Sequence, residues 1–315
     1  MRILSLLPSA TEIVFALGLG DDLVGVSHEC DYPPEARAKP VVSTSDVSPK
    51  LRSREVHRAL TQHRHTSRSV YNIDERRLQE LRPDVILTQE LCMVCAVPVT
   101  QVQEAARMLA GPCQVVSLEP RNLRQILATI QTVGGVTGHA AESRGVVAQL
   151  HERVECIVSR TSCIQNRPRV FCMEWMDPIM PGGHWIPEMI RMAGGTSTLG
   201  KDNEPSRVIA WEQVVEFSPE IIIAMPCGYK ISRTVEELDC LVTKAGWSRL
   251  PAVKRGNVFV VDSPAFFSRP GPRVVTGLEI LAQIFHPDLI SGLIPAGAVA
   301  NVKWTDSKPA ISEVL

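Results

Sequence analysis

The sequence predicts an α/β fold with two Rossmann-like lobes, each on a mainly parallel sheet, joined by one long α-helix. Three observations predict it. Short apolar runs such as 85–87 and 221–223 contain no alternating polar residue, which is typical of parallel strands covered by helices on both faces. Amphipathic stretches separate these runs, as in βαβ units. A long stretch with helical spacing lies between the two halves of the chain.

The apolar runs predict strands in both halves of the chain. They lie at residues 2–7, 23–27, 84–88, 114–118, 169–173, 220–224 and 257–261, and helices are predicted at residues 11–17, 99–109 and 123–133. The segment 81–87 (LRPDVIL) is echoed at 217–223 (FSPEIII). Two lobes of similar construction would explain this echo, and chance similarity between two buried strands is the alternative.

Residues 138–163 are predicted to form the helix that connects the lobes. Apolar positions such as Val147, Leu150 and Val154 recur three or four residues apart, which is helical spacing. About 25 helical residues would make a rod roughly 40 Å long. The predicted organisation is a first lobe at 1–137, the helix at 138–164, a second lobe at 165–288, and a poorly periodic tail at 289–315 that wraps the surface.

Composition argues against several classes of function. The chain has 315 residues, with 33 Lys and Arg against 34 Asp and Glu. It has no excess of positive charge for nucleic acid or an anionic membrane surface, and no apolar stretch approaches the roughly 20 residues of a transmembrane helix. The N-terminus shows no secretory leader pattern, and nine cysteines, an odd number, fit a reducing compartment. A cytoplasmic location is therefore expected.

Ligands of parallel α/β proteins bind beyond the carboxyl ends of the strands, so the residues that follow each strand are the candidate binding residues. In the first half they are Pro8, Ser9, Ala10, Thr11, His28, Glu29, Tyr32, Glu90, Cys92 and Cys95. In the second half they are Glu174, Trp175, His184, Trp185, Cys227 and Tyr229. Aromatic walls with a few polar groups suit a large flat ligand.

Two of these motifs have structural alternatives. Ser9 and Glu12 match a capping box at a helix start, although exposed amides there could also hold an anion. The Cys92-x-x-Cys95 spacing is that of a zinc or redox pair, but the cysteines could equally be buried structural thiols or contact a ligand. The metal candidates are Cys92, Cys95 and His184, and a complete site would draw further ligands from Cys30, His28 or Cys227.

The sequence contains no enzyme signature, since it lacks a nucleophile elbow, a Walker lysine loop and a zinc-protease helix. A binding protein without catalysis is therefore expected. A nucleophile pair in the same loops, such as Cys92 with His28, is the enzymatic alternative.

Several motifs together resemble a known family. They are 7–12 (LPSATE), 24–27 (VGVS), 31–33 (DYP), 81–86 (LRPDVI), 194–195 (GG), 211–214 (WEQV), 218–220 (SPE) and 256–258 (GNV). Their order and spacing are similar to those of the cobalamin (vitamin B12)-binding component of bacterial ABC importers, which belongs to the class III periplasmic-binding-protein-like superfamily. The resemblance spans about residues 2–286.

This resemblance implies two α/β lobes, bridged by one helix, that hold a metal chelate between them without catalysis. The expected ligand is a corrinoid such as cobalamin, with Cys92, Cys95 or His184 as candidate axial ligands, and the expected partner is an ABC permease. A siderophore, haem or a thiophilic metal ion such as zinc is the alternative cargo.

The chain also departs from the importer pattern. It lacks the leader of import proteins, and the helix that begins at 98–101 (PVTQ) has no acid before Glu104 to dock a membrane partner. The 91–95 element (LCMVC) and the Glu174-Trp175 and His184-Trp185 pairs also differ from the importer component, and they resemble a leaderless branch of the superfamily.

Overall fold

The apolar runs become the central strands of two α/β units in a computed structural model, which describes residues 1–48, 50–66, 70–89, 99–109, 111–305 and 308–314. Contacts within the chain define the units. The first comprises Met1–Leu51, Glu55–Pro120 and Arg124–Gln149, and the second comprises Arg52–Arg54, Arg121–Leu123 and Leu150–Leu315. Two short segments from the first half of the chain thus belong to the second unit.

The first unit is built on a parallel sheet whose inner strands are apolar. Among the described residues, its strands are β1 (Ile3–Ser5), β2 (Leu23–Val26), β3 (Ser43–Ser45), β4 (Tyr71–Ile73), β5 (Val85–Thr88) and β6 (Gln114–Ser117). The main sheet has the order β2-β1-β5-β6 with every pair parallel, and β3 pairs with β4 antiparallel. Its helices include α1 (Pro8–Ala16), α2 (Ser53–Thr66), α3 (Glu75–Leu81), α4 (Val99–Arg107) and α5 (Leu123–Val136), with a 3-10 turn at Pro34–Ala38.

A 22-residue helix, α6 (Ala140–Thr161), forms where the sequence predicts the connecting helix. In the second unit, Arg153 on α6 donates from Nε and Nη2 to the two carboxylate oxygens of Glu279, at 2.9 and 2.6 Å. Arg153 Nη2 also donates to Thr276 Oγ1 at 2.8 Å. Such a two-point guanidinium–carboxylate contact fixes orientation as well as charge. The lobe boundaries given above stay predictions.

The second unit has a larger, mixed sheet. Its strands, as far as the structure describes them, are β7 (Val170–Met176), β8 (Ile179–Pro181), β9 (Ile221–Ala224), β10 (Val258–Val261), β11 (Val299–Thr305) and β12 (Lys308–Val314), in the order β12-β11-β10-β9-β7-β8. Strands β7, β9 and β10 are parallel, and the outer strands are antiparallel. Its helices include α7 (Ile186–Met192), α8 (Trp211–Phe217), α9 (Ile231–Glu237), α10 (Asp239–Val242), α11 (Pro251–Arg255), α12 (Ser263–Phe266) and α13 (Val274–Phe285), with a 3-10 turn at Trp247–Arg249.

All seven predicted strands form, each within a few residues of its expected position. One boundary is wrong in a way that matters for the site. Glu174 and Trp175 were expected in the loop after the strand, but β7 continues through them to Met176. The extension is stabilised by pairing, because Met176 lies opposite Ile179 in the hairpin with β8.

The internal sequence echo corresponds to a repeated structural motif. Helices α3 and α8 both end at a non-glycine residue with positive φ, Arg82 at 43° and Ser218 at 51°, and a Pro-acid pair then leads into β5 or β9. In the first unit the acid, Asp84, accepts from the backbone N–H of Arg2 at 2.7 Å. In the second, Glu220 accepts from the backbone N–H of Arg169 at 3.2 Å. The same sequence pattern thus builds the amino edge of both sheets.

The C-terminal tail, which was expected to wrap the surface, instead extends the second sheet. Strand β11 pairs antiparallel with β10, and β12 covers β11. Val299, Ala300 and Val302 are fully buried, and the Trp304 ring lies edge-on to Trp247 with centroids 5.1 Å apart.

Within the described part of the chain, no helix has both the length and the apolarity to cross a membrane.

Candidate functional site

In the first unit, the loop after β2 leaves the His28 side chain partly buried. Its Nδ1 lies 2.8 Å from Ser43 Oγ, and its ring centroid lies 5.3 Å from that of Tyr71. Its Nε2 lies 3.7 Å from Glu29 Oε1. Ser43 and Tyr71 belong to the short strands β3 and β4, which the sequence analysis did not find. The imidazole is therefore oriented by Ser43 and Tyr71, which lie outside its own loop, as well as by the adjacent Glu29.

Burial lowers the pKa of His28, and the Glu29 carboxylate offsets part of that lowering. Since the folded-state pKa lies below the ordinary value of about 6.5, the unfolded chain binds the proton first as the pH falls. Stability is then lost as the pH drops below about 6.5. We expect the Tm to fall between roughly pH 7.5 and pH 5.5, and less steeply in His28→Gln than in wild type.

Scanning fluorimetry across this pH range measures the slope. The exposed His151 on α6 provides the control, and His151→Gln is expected to keep the wild-type slope. Equal slopes for wild type and His28→Gln would contradict the assignment.

Hydroxyl groups tie the start of α1 to the loop after β2. Thr11 Oγ1 lies 3.0 Å from Cys30 Sγ and 2.8 Å from Ser5 Oγ. Ser27 Oγ lies 3.2 Å from the same sulfur. Thr11 is completely buried. Because its hydroxyl contacts the Cys30 sulfur, it holds this loop against the helix. Two residues complete this network: Cys30, which the sequence analysis considered only as a further metal ligand, and Ser27, which was not among the predicted residues.

The predicted capping box at Ser9 and Glu12 is wrong. Helix α1 begins at Pro8, its N-cap is Leu7, and no side chain caps it. Proline is favoured at the first helical position because its missing N–H would be unsatisfied there in any case. Ser9, Ala10 and Glu12 are instead buried within the helix. The remaining first-unit candidates divide into Glu29 and Tyr32, which are exposed, and Glu90, Cys92 and Cys95, which lie outside the described residues.

In the second unit, Trp175 lies at the carboxyl end of β7. Its Nε1 donates to the carbonyl oxygens of Asp177, at 3.1 Å, and Ser53, at 3.2 Å. Ser53 belongs to the 52–54 segment of this unit, and its own N–H donates to Glu237 Oε2 at 2.8 Å. The Trp175 ring is only 7% exposed, so its main role in this unit is to support the surrounding loops.

The Gly183–Trp185 loop is held by three hydrogen bonds to other parts of the second unit. Glu174 Oε2 accepts from the N–H of Gly183 at 3.1 Å. The His184 N–H donates to the carbonyl of Glu204 at 2.6 Å, and the His184 carbonyl accepts from Asn203 at 3.0 Å. These bonds hold His184 at a φ of 51°, a left-handed conformation that is uncommon for residues other than glycine.

The Trp185 ring lies next to the His184 imidazole. The two rings lie with centroids 5.6 Å apart. Trp185 Nε1 donates to the carbonyl of Phe267 at 2.9 Å, and the residue is 5% exposed. His184 itself is half-buried. The loop therefore presents an imidazole on a rigid aromatic base.

The loop after β9 places Cys227 and Tyr229 beside the same β7 residues. The Cys227 N–H donates to the Glu174 carbonyl at 3.2 Å, and the Tyr229 ring centroid lies 5.4 Å from that of Trp175. The Arg233 guanidinium lies 3.6 Å from the Tyr229 ring centroid, within cation–π range. Burial raises the pKa of Tyr229 to about 12, so the phenol stays protonated. Arg233 was not among the predicted residues.

The described residues contain no group of three or more His, Cys, Asp or Glu side chains placed to bind a metal ion. Burial raises the pKa of Cys113 and of Cys240 to about 11, and it raises that of Cys172 as well. A reactive cysteine needs a lowered pKa, so none of these three thiols is an activated nucleophile.

The sequence matches a known family over most of its length. The profile of the family described as "Periplasmic binding protein" matches residues 3–265. An uncharacterized ABC transporter substrate-binding lipoprotein of Bacillus subtilis (strain 168) is 26% identical over 91% of this chain and 80% of its own length. A vitamin B12-binding protein of Vibrio cholerae is 24% identical over 88% of this chain and 86% of its own length.

Solved structures show the same fold. The periplasmic vitamin B12-binding protein BtuF of Vibrio cholerae has a TM-score of 0.65 at 21% identity, covering 91% of this chain and 96% of that one. The periplasmic heme-binding protein RhuT of Roseiflexus sp. RS-1 has a TM-score of 0.67 at 21% identity, covering 91% and 98%. The predicted class III fold is thereby confirmed. With its profile match, its strand order and its strand-end loops, the chain belongs to the periplasmic binding protein family and is a ligand-binding protein of that type.

Proposed function

We propose that this protein binds a corrinoid, a cobalamin-like metal chelate, through the strand-end loops of its two units, and that it does so without catalysis. The observation that carries the proposal is the second-unit loop group, in which Glu174 hydrogen-bonds to the loops that carry His184 and Cys227 and the His184 imidazole lies beside the rigidly held Trp185 ring. Relatives named for vitamin B12 binding, aligned over most of both chains, support this choice over haem.

The exposure of each side chain divides the candidate residues into contacts and supports. Glu174, His184 and Cys227 are half-buried, and we assign ligand contact to them. Trp175 and Trp185 are buried, and backbone carbonyls accept hydrogen bonds from their indole N–H groups, so they stiffen the loops. In the first unit the exposed Glu29 and Tyr32 are the proposed contacts. Preorganised loops of this kind reduce the entropy that binding costs.

A direct titration tests the proposal. Hydroxocobalamin, cobinamide and haem are each added to the purified protein and followed by calorimetry and absorption spectroscopy. We expect a corrinoid to bind with a Kd at or below about 1 μM, equivalent to about −8 kcal/mol, and haem to bind more weakly. If haem binds more tightly than the corrinoids, haem becomes the proposed ligand. If none of the three binds, the proposal is rejected.

His184→Asn separates coordination by the imidazole from a general loop effect, since asparagine also tolerates the left-handed conformation. If His184 ligates the cobalt, the absorption change on binding disappears in this variant and the affinity falls. His151→Asn on exposed α6 is the matched control and is expected to bind as wild type does. An unchanged spectrum in His184→Asn would remove His184 as the axial ligand.

The proposed partner is an ABC permease, since one relative is named as an ABC transporter substrate-binding lipoprotein. The cytoplasmic location stays a prediction from the sequence. Fractionation of cells that express the natural gene, with immunodetection of the protein, tests the location. Recovery of the protein outside the cytoplasmic fraction would overturn it.

A further inference from the structure

The second unit contains a cavity that is separate from the loops described above. It has a volume of about 700 Å³ and is lined by residues of the 165–168 loop, the starts of β9 and β10, and the end of α13. Strands β7, β9 and β10 are parallel, so this cavity lies at the amino edge of the sheet. The candidate ligand loops lie at the opposite, carboxyl edge. A four-residue strand at about 3.3 Å per residue separates the two by roughly 13 Å.

The lining of this cavity includes two arginines, Arg167 and Arg255, and one carboxylate, Glu220. Glu220 accepts hydrogen bonds from the Arg169 N–H at 3.2 Å and from Arg255 Nη1 at 3.1 Å. These contacts lower the pKa of Glu220 against the effect of burial, so it stays ionised and its charge is already balanced. Arg167 has no carboxylate within ion-pair distance in the part of the chain that the structure describes, and its Nη1 donates only to the carbonyl of Arg191, at 3.2 Å.

The remaining lining adds a neutral imidazole and an apolar wall. His286 Nε2 donates to the carbonyl of Gly194 at 3.2 Å. Burial and the Arg167 charge together lower the pKa of His286, so it adds no positive charge near pH 7. Phe259, Ile284 and Phe285 form the apolar wall. The volume lies within the roughly 300–1,000 Å³ typical of small-molecule sites.

We infer that this amino-edge cavity binds a small organic carboxylate with an apolar body, whose charged end lies at Arg167 and Arg255 and whose body lies against Phe259 and Phe285. Guanidinium groups form strong charge-assisted hydrogen bonds with carboxylates. The repeated motif of the fold supports this division of roles. The Arg169–Glu220 contact has its counterpart in Arg2–Asp84 of the first unit and is structural. Arg167 lies outside that motif, and Arg255 joins it through a single Nη1 hydrogen bond to Glu220.

Benzoate is the probe, and its binding is measured from amide chemical shifts in the ¹⁵N-labelled full-length protein. We expect saturable shifts at 165–167 and 255–259, with a Kd on the order of 1 mM or tighter. Benzamide, which has the same shape without the charge, and inorganic phosphate, which has no apolar body, are expected to bind more weakly. Absence of saturable shifts, or equal binding of benzamide, would overturn the inference.

Substitutions locate the site. Arg167→Gln is expected to weaken benzoate binding at least tenfold, and Arg144→Gln on the exposed face of α6 is expected to leave it unchanged. Should Arg167→Gln fail to fold because Arg167 also caps the carbonyl of Arg191, Arg255→Gln gives the same test, since Arg169 still holds Glu220. Wild-type affinity in the folded variant would assign the arginines a purely structural role. Corrinoid binding is expected to be unchanged in both variants, so the two sites are tested independently.

Discussion

Gly183→Ala is expected to destabilise the protein and to weaken ligand binding together. A Cβ at this position would lie 2.5 Å from the Ser206 nitrogen, 2.6 Å from the Glu204 oxygen and 2.8 Å from the Pro205 carbonyl carbon. All three atoms are backbone, so no side chain can rotate away and the 204–206 segment must move. Overpacking of this kind costs about 1–3 kcal/mol, which corresponds to a fall in Tm of roughly 3–10 °C.

The effect on binding follows from the hydrogen bonds of the same loop. Gly183 donates to Glu174, and its neighbour His184 donates to the Glu204 carbonyl. Displacing 204–206 therefore moves the imidazole that we assign to ligand contact. We expect corrinoid affinity to fall at least about tenfold, equivalent to about 1.4 kcal/mol.

Gly145→Ala is the matched control for this substitution. Gly145 lies on the exposed side of α6, and a Cβ there would meet no atom within 4 Å. Alanine favours a helix over glycine by about 0.5–1 kcal/mol, so this variant is expected to be slightly more stable and to bind as wild type does. Thermal melts and titrations of both variants give the comparison. A Gly183→Ala protein with wild-type stability and affinity would show that the loop is free to adjust.

The central strands could be predicted because they are buried on both faces and so read as uninterrupted apolar runs. The end of β7 could not, because Glu174 is polar and partly exposed, and only pairing with β8 keeps this segment extended. The same limit applies to Ser43 and Tyr71 beside His28. Each lies on a three-residue strand, too short for a period-two pattern to emerge.

The positions of the candidate loops in the fold could be predicted from the sequence, but the roles of their individual side chains could not. Chain order places candidate residues directly after β2, β7 and β9, at the carboxyl ends of parallel strands, and their contact with a ligand stays a prediction. Chain order could not show that Trp175 and Trp185 are buried with their N–H groups bonded to carbonyls, since two of the three accepting carbonyls belong to Ser53 and Phe267, far away in sequence. The conformation of His184 depends likewise on Glu204 and Asn203.

Ending the chain at Ala298 is expected to give an insoluble or strongly destabilised protein, although the family profile already ends at residue 265. Strand β11 covers β10 along the pairs Phe259–Asn301, Val260–Ala300 and Val261–Val299. Val299 and Val302 are fully buried, and burying each contributes about 1.5–3 kcal/mol. Without β11, the apolar strand β10 becomes an open edge that can pair with other chains.

A chain that ends at residue 307 separates the two strands of the hairpin. It keeps β11 on β10 and the Trp304–Trp247 contact, and it loses only β12, whose Ile311 and Val314 are exposed. We expect this protein to remain soluble, with a modest fall in Tm. Soluble yield, light scattering and thermal melts compare the two truncations with the full chain. If the chain that ends at Ala298 is soluble and melts as the full chain does, the tail is dispensable, and the sheet needs no protection at β10.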